Sequence, residues 1–580
     1  MLFPGLRSLD GYGSEALRGD LVAGITTAVL LVPQGMAYAM LAGLPPIHGL
    51  YASLLPLLAY ALFGTSRQLA VGPVAIDSLL VAAGVGAIAA AGTALYVATA
   101  ALLALAVGTL QVVMGAARLG VIVNFLSRPV LTGFMAGAAL IIGFTQLTHV
   151  TGVPLSSTTR VHSMLAEFLG SLGAIHPPTL ALGLGSFLFL VVAKRLRPTF
   201  PRGLAVVALG AGLVFAFGAE DRGVAVIGQV PHGLPSLSLP SLDFERLGQL
   251  FPIASTIAFV AFIEAIAVAK KTAVKDEVDA NRELVALGMA NVAGSFAQGF
   301  PVTGGLSRTA VNAQAGARSN LAGVVTALTV GLVLLWLTPL LHYVPRAVLA
   351  AIILAAVSGL VEVQEMRRLY RVKRTDFTMM LVTLVATLGL GIERGVVIGV
   401  LTSLAALVIR TTRPHVALLG RLPCGAYRNV DRFPDARLEP GVLAVRLDAQ
   451  FYFGNVNFLK EKLRELEARV DGQLRAVVLD ASGINQIDAS AEVGLCEIAR
   501  DYRQREVRFV LANVKGPVRD VLDRSGFLER LGSEHLFLRV EDAVEAVRTG
   551  GAERGANAWE SGAAPGPGSP RGDASTPTHA

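Results

Sequence analysis

Charge is scarce in this chain. Of 580 residues only 16% are charged and 53% are hydrophobic, whereas an ordinary soluble domain carries roughly 25% charge. That deficit excludes a soluble globule and points to a membrane protein. Cysteine is nearly absent. Cys424 and Cys496 are the whole supply, so the cysteines by themselves build no metal cluster, and both are expected as reduced thiols. No nucleotide-binding P-loop, metal-ligand cluster or nucleophile–base arrangement is present. An enzyme, ATP hydrolysis and a cofactor or metal are therefore not expected. The +7 surplus of positive charge sits in short loops rather than on one continuous face, which argues against nucleic acid as a partner. A small-residue cleavage site is also missing after the first apolar run, Leu21 to Met40. That run reads as a first transmembrane helix and not as a cleaved signal.

What is present is hydrophobic length. Runs of about 20 residues, enough to cross a ~30 Å hydrocarbon layer as helix, recur from Leu21 to Arg410. Fourteen segments are expected, starting near residues 21, 48, 72, 94, 121, 179, 203, 251, 282, 304, 320, 345, 375 and 394. With a cytoplasmic N-terminus, the even loops hold Arg67, Arg118, Lys194, Arg195, Arg197, Arg202, Lys270, Lys271, Lys275, Arg282, Arg367, Arg368, Arg371, Lys373 and Arg374. The odd loops hold Arg160, Arg222, Arg246, Arg346 and Arg394. A ratio of 15 to 5 obeys the positive-inside rule and places both termini in the cytoplasm.

After Arg410 charged and apolar residues mix. "GVLAVRLDAQFYF", "LRAVVLDASG" and "VRFVLANV" read as strands, and "NFLKEKLRELEARV", "DASAEVGLCEIARDYRQ" and "VRDVLDRSGFLERL" as helices, the alternation of a small α/β domain. The expected organisation is a cytoplasmic N-terminal segment (1–20), a transmembrane domain (21–412), a linker (413–429), the α/β domain (430–548) and a Gly-, Ala-, Pro- and Ser-rich disordered tail (549–580).

Two segments are broken near their starts: "VGPVAIDSLLVAAG" and "PVTGGLSRTAVN". Each is third in its set of seven, so two inverted repeats are expected, with half-helices whose N-termini meet at mid-membrane. A helix N-terminus offers free N–H donors and about half a positive charge. Two such ends with Arg308 make an anion site of roughly two positive charges, and Gly304 and Gly305 let backbone approach the ligand. Arg308 stays charged. The eighth segment carries Glu264, either the partner of Arg308 or a group on the ion pathway; the two roles are compatible. Asp77, one turn into the first half-helix, reads equally as a pathway carboxylate or as the partner of a neighbouring helix. In the first segment Pro33 and Gly35 loosen the backbone, while Gln34 and Tyr38, four apart, share one helix face. With Glu264 ionised the site carries about +1; protonating it favours a dianion, so proton and anion are expected to bind together. Sodium is the alternative, disfavoured because Val260 and Val268 flank Glu264 one turn away.

The stretches "VPQGMAYAMLAGLPPIHGLYAS", "FGTSRQLAVGPVAIDSLL", "NFLSRPVLTGFMAGAAL" and "GGLSRTAVNAQAGARS" resemble the SulP family of sulfate-permease-like anion transporters, which includes prestin and the animal anion exchangers. The resemblance covers nearly the whole chain. It implies fourteen segments in seven-plus-seven inverted repeats, core and gate bundles moving as an elevator, and a homodimer in the inner membrane. It implies an anion site at Gln34, Tyr38, Val74, Ala75, Gly305, Leu306, Ser307 and Arg308, with Gly304 beside it, and a coupling carboxylate at Glu264. Val74 departs from the aromatic of some animal members, which leaves the pocket less capped.

The C-terminal "VVLDASGINQIDASAEVG" resembles the STAS domain. That resemblance implies a phosphorylatable serine at Ser490, with Asp480, Ser482 and Asp488 around it and a nucleotide or regulatory protein as partner. The plainer reading is that Asp488 or Ser490 caps the following helix. The functions that stay open are a proton-coupled transporter, a sodium-coupled bicarbonate symporter, an exchanger, a passive channel, a voltage-responsive motor and a sensor with a STAS output.

Overall fold

A computed structural model describes residues 4–5, 12–121, 127–153, 161–197, 200–272 and 278–549. Arg160, Lys275 and the expected tail beyond Thr549 lie outside the described residues. Two compact units divide the chain, Met1–Leu404 and Ala405–Ala580.

In the first unit a helix coincides with each expected segment. These are α1 (Ser14–Leu41), α2 (Ile47–Phe63), α3 (Ala75–Gly86), α4 (Ala94–Ala116), α5 (Arg128–Thr151), α6 (Pro177–Leu196) and α7 (Arg202–Phe217). The second set is α8 (Phe244–Thr272), α9 (Ala280–Phe296), α10 (Leu306–Gln314), α11 (Leu321–Leu341), α12 (Arg346–Val357), α13 (Arg374–Leu390) and α14 (Ile392–Thr412). Among the described residues, eight helices are long and apolar enough to cross a membrane. Starts differ from expectation by up to seven residues, at α1, α5 and α8. Hydropathy marks the apolar stretch, whereas α1 and α8 continue as helix into the polar turns "SEALRGD" and "FERLGQL".

The packing repeats with a seven-helix offset. Helix α1 lies against α10 and α11, as α8 lies against α3 and α4; α5 packs on α13 as α12 packs on α6. That exchange is the signature of an inverted repeat. Between the halves runs a two-stranded antiparallel ribbon, β1 (Val71–Gly72) with β2 (Thr303–Gly304), in register Val71 to Gly304 and Gly72 to Thr303. Small residues set the closest helix approach. A Cβ on Gly288 of α9 would sit 2.6 Å from the Gly108 carbonyl oxygen of α4, and one on Gly108 would sit 2.7 Å from that of Gly288.

Two buried acids of this unit, Asp20 and Glu283, are well supplied with donors. Asp20 (0% exposed) accepts from the N–H groups of Arg318 at 2.6 Å and Ser319 at 3.1 Å. It also accepts from the hydroxyls of Tyr12 at 2.8 Å and of Ser319. Glu283 accepts from Tyr60 Oη at 2.5 Å and from Thr65 Oγ1 at 2.5 Å and Thr65 N at 3.3 Å.

The second unit is an α/β sandwich around one sheet, ordered β4-β3-β5-β6-β7-β8. Its strands are β3 (Val416–Arg421), β4 (Tyr427–Asn429), β5 (Val442–Leu447), β6 (Ala476–Asp480), β7 (Arg508–Ala512) and β8 (Leu536–Phe537). The last four run parallel, and β3 joins β5 antiparallel. The linker expected over 413–429 is therefore corrected: it contains β3 and β4, whose Leu418 and Leu419 are buried on opposite faces of the sheet. One face is covered by α15 (Val456–Glu467), α16 (Ala489–Gln504), α17 (Gly516–Arg524) and α18 (Phe527–Leu531); the other by α19 (Val540–Thr549). The single helix expected from "VRDVLDRSGFLERL" is two, because Gly526 takes φ +69°, the left-handed conformation that ends a helix. Both cysteines are free. Burial, and then the hydrogen bond to Glu492, push the Cys496 thiol up to about 11.

Replacing Gly288 with Ala is expected to lower stability by about 1–3 kcal/mol, the usual range for overpacking, visible as a lower midpoint in thermal unfolding of the detergent-solubilised protein. At pH 8 iodoacetamide is expected to alkylate the exposed Cys424 well before Cys496, since the thiolate is the reactive form. Peptide mass spectrometry of a time course reads the order.

Candidate functional site

The ribbon starts both half-helices. Helix α3 spans twelve residues and α10 nine, about 18 Å and 14 Å of rise, so neither crosses a bilayer alone. Both N-caps, Val74 (φ −131°) and Gly305 (φ −87°), are extended residues with no side-chain cap. The first helical bonds run from Ser78 N to Val74 O and from Thr309 N to Gly305 O. The N–H groups of Ala75, Ile76 and Asp77, and of Leu306, Ser307 and Arg308, thus lie outside the helices' own ladders.

Non-helical backbone at this depth needs partners, and side chains that the sequence analysis did not single out provide them. Asn291 Nδ2 donates to Val302 O at 3.0 Å while its Oδ1 accepts from Val302 N at 2.7 Å, and Gln111 Oε1 steadies the amide at 3.0 Å. Thr309 Oγ1 accepts from Ala70 N at 3.0 Å, and Asn312 Nδ2 donates to Gln68 O at 2.9 Å. Thr303 Oγ1 donates to Ala261 O at 2.6 Å. Their signal was available: polar side chains within, or one turn from, apolar helical runs that adjoin the broken segments.

Arg308 is 1% exposed. Its Nη1 donates to Pro73 O at 2.5 Å, which ties α10 to the start of α3. Nε and Nη2 have no protein partner. The guanidinium lies against two glycines: a Cβ on Gly305 would meet Nη2 at 2.8 Å, and one on Gly72 would meet it at 3.3 Å. Glycine is needed here for close approach rather than for a turn. Among the described ion pairs none joins Arg308 to Glu264, so the pairing that the sequence left open is not made in this state.

A cavity of about 980 Å³ opens beside these groups. Of the nine expected site residues, Gln34, Tyr38, Val74, Ala75, Gly305, Leu306, Ser307 and Arg308 line it; Gly304 lies in the ribbon against Leu69. Glu264 also lines it, with Oε2 buried and unpartnered, as is Gln34 Oε1. Asp77 does not reach the cavity; it is 0% exposed and neither carboxylate oxygen has a partner. The lining also includes Lys194 and Arg195 in the last turn of α6, Arg202 at the first residue of α7, Thr272 at the end of α8 and Ser358–Leu360 after α12. All of these lie in or beside even connections. The cavity therefore opens on the face that carries the surplus of basic residues, and three of those cations flank its mouth, where they concentrate anions. Seven helices line the cavity: α1, α3, α6, α7, α8, α10 and α12.

In the second unit Asp480, 5% exposed, accepts from Ser482 N at 3.0 Å and from Asn513 Nδ2 at 2.9 Å. Asp488 is the N-cap of α16: Oδ1 accepts from Ala491 N at 2.7 Å and Oδ2 from Phe453 N at 2.9 Å. Ser490 is exposed on the first turn of α16. Of the two capping candidates Asp488 takes the role, and Ser490 presents its hydroxyl outward.

Comparison with known proteins places these features in one family. Residues 17–383 match the sulfate permease family and residues 433–543 the STAS domain. The chain is 38% identical to the chloroplastic sulfate transporter 4.1 of Arabidopsis thaliana, over 94% of this chain and 82% of that one. It is 35% identical to a probable sulfate transporter of Mycobacterium tuberculosis, over 94% and 98%. Among solved structures, the murine anion transporter Slc26a9 in its inward-facing state superposes with a TM-score of 0.85 at 25% identity, covering 94% of each chain. The transmembrane domain of the cyanobacterial bicarbonate transporter BicA shares the fold, with a TM-score of 0.58 at 24% identity over 68% of this chain and 98% of that one. The chain belongs to the sulfate permease family, a family of multi-pass membrane transporters and not of enzymes, and it carries a C-terminal STAS domain.

Proposed function

We propose that this protein is a secondary active transporter that carries a small dianion, sulfate in the first instance, together with a proton. The observation that carries this reading is the meeting of two uncapped helix N-termini with the unpartnered Nε and Nη2 of Arg308 at one cavity. Two helix ends and a guanidinium supply about two positive charges in a low-dielectric place, which suits a doubly charged ligand. The names of the plant and mycobacterial relatives favour sulfate within that class. Gln34, Tyr38 and Ser307 provide neutral polar groups around the ligand, Val74 and Leu306 its apolar wall, and Ala75, Gly304 and Gly305 the backbone approach.

Glu264 is the coupling group. While ionised it cancels about half of the site's positive charge; as pH falls through its titration the site becomes more positive and holds a dianion more tightly. The proton thus travels with the anion rather than against it. The transport cycle is an elevator, as the family resemblance implies, in which the helices that hold the anion site, α1, α3, α8 and α10, carry it past α6, α7 and α12. The protein works as a homodimer in the inner membrane with both termini cytoplasmic, as the family resemblance and the 15-to-5 loop charge imply. Ser490 is the regulatory position of the STAS domain. A phosphate there would sit on the first turn of α16, where the helix dipole stabilises negative charge.

In proteoliposomes an inward proton gradient is expected to drive labelled sulfate above equilibrium, and a sodium gradient alone to leave it at equilibrium. Sodium-driven accumulation that ignores pH would assign coupling to sodium. Glu264→Gln is expected to equilibrate sulfate yet lose gradient-driven accumulation. Arg308→Gln is expected to weaken sulfate binding about tenfold or more, because a charged hydrogen-bond donor is lost, while its thermal midpoint stays near wild type. Titration calorimetry and unfolding of the same preparation separate the two effects.

A further inference from the structure

Asp77 is the one buried acid of the transport unit, among the described residues, that has no hydrogen-bond donor at all. Asp20 and Glu283 are equally inaccessible, and each accepts three or more hydrogen bonds from named donors. Those are structural acids. Asp77 is 0% exposed with both oxygens bare, and an ion in that condition is too costly to keep without a partner. Its surroundings offer almost no charge. Helix α3 packs on α1, α4, α5 and α8. The spans 21–41 of α1, 94–116 of α4 and 129–146 of α5 contain no Asp, Glu, Lys, Arg or His. Their tyrosines are Tyr38, on the cavity, and Tyr96, whose hydroxyl donates to Ala42 O at 2.7 Å. Helix α8 contributes Glu264, whose charge acts on Asp77; Arg308 acts in turn on Glu264.

Asp77 also stands at the third residue of α3, beside the N–H groups that face the ligand. Ionised, it would cancel the helix-end charge there and repel a dianion. Protonated, it leaves that charge intact.

We propose that Asp77 is a second proton-binding group of the anion site, so that a dianion is held only when both Asp77 and Glu264 carry protons. This rests on the proton-coupled reading above and extends it from one carboxyl to two. Glu264 faces the cavity and exchanges its proton with water there, and Asp77, behind it, is loaded from the same side. The proton goes onto a carboxylate oxygen in each case, and no other bond changes.

Linkage turns this into a measurement. Each carboxyl that must be protonated for binding adds one proton taken up per anion at pH values above its own titration. Sulfate affinity of the purified full-length protein, measured from pH 5 to pH 10, is expected to fall with a slope that exceeds one proton per anion at the alkaline end. In Asp77→Asn, which mimics the protonated acid, the slope is expected never to exceed one. The variant should match wild type at pH 5 and bind at least tenfold more tightly at the alkaline limit. Agreement at pH 5 also establishes that the variant is folded. Proton uptake on sulfate addition in weakly buffered solution gives the count for the unmodified protein. Superimposable pH curves for wild type and Asp77→Asn, with one proton taken up throughout, would overturn the role of Asp77 and leave Glu264 standing. No proton uptake by the wild type at any pH would overturn the proton-coupled reading itself.

Discussion

Two residue pairs of antiparallel backbone, Val71 with Gly304 and Gly72 with Thr303, hold the transport unit's chemistry in place. In hydrocarbon an interrupted helix exposes peptide groups that water cannot reach, and each costs several kcal/mol. The ribbon pairs some of those groups with each other. Asn291, Thr303, Thr309 and Asn312 take up others, and Arg308 reaches over to Pro73 O. The first-turn N–H groups of the two half-helices stay outside their helices' own ladders. The same local geometry therefore explains both why the backbone can break at mid-membrane and why an anion is the ligand that completes it.

The electrostatics follow from that geometry. Two helix ends and a guanidinium would make a strongly cationic site with nothing to release a bound dianion; on the proton-coupled reading proposed above, a carboxyl that titrates beside it gives the site two strengths. Glu264 lines the cavity, whereas Asp77 is fully buried and does not reach it, so the two acids differ in their access to water rather than in chemistry. On the same reading the basic residues that line the cavity, Lys194, Arg195 and Arg202, would act earlier, by raising the local anion concentration. Neither depth nor access is encoded in residue type alone.

Much of the fold was legible in the sequence because a membrane imposes a length on each segment and a charge bias on each loop. All fourteen segments coincide with helices, and the glycine- and proline-rich breaks mark where α3 and α10 start. Helix ends were less legible, since α1 and α8 run on past their apolar stretches into polar turns. β3 and β4 were missed: their short apolar runs are bounded by Arg421, Pro423 and Gly425, and only pairing with β5 makes them strands. The anion-site residues expected on the broken segments line one cavity, Gly304 excepted, whereas Asn291 and Gln111 were not singled out, because their role depends on a tertiary contact with Val302. Whether Arg308 pairs with Glu264 was likewise undecidable from spacing; the structure gives Arg308 a carbonyl partner instead.

The central claim is that an anion binds between the N-termini of α3 and α10 against Arg308. Selenate is a heavier analogue of sulfate and can be located by its anomalous scattering in crystals of the full-length protein. A selenium peak is predicted within about 4 Å of Arg308 Nη2, with oxygens at about 3 Å from the first-turn N–H groups of both half-helices. A peak only at the mouth, beside Lys194, Arg195 and Arg202, with the space at Arg308 filled by water, would contradict the account.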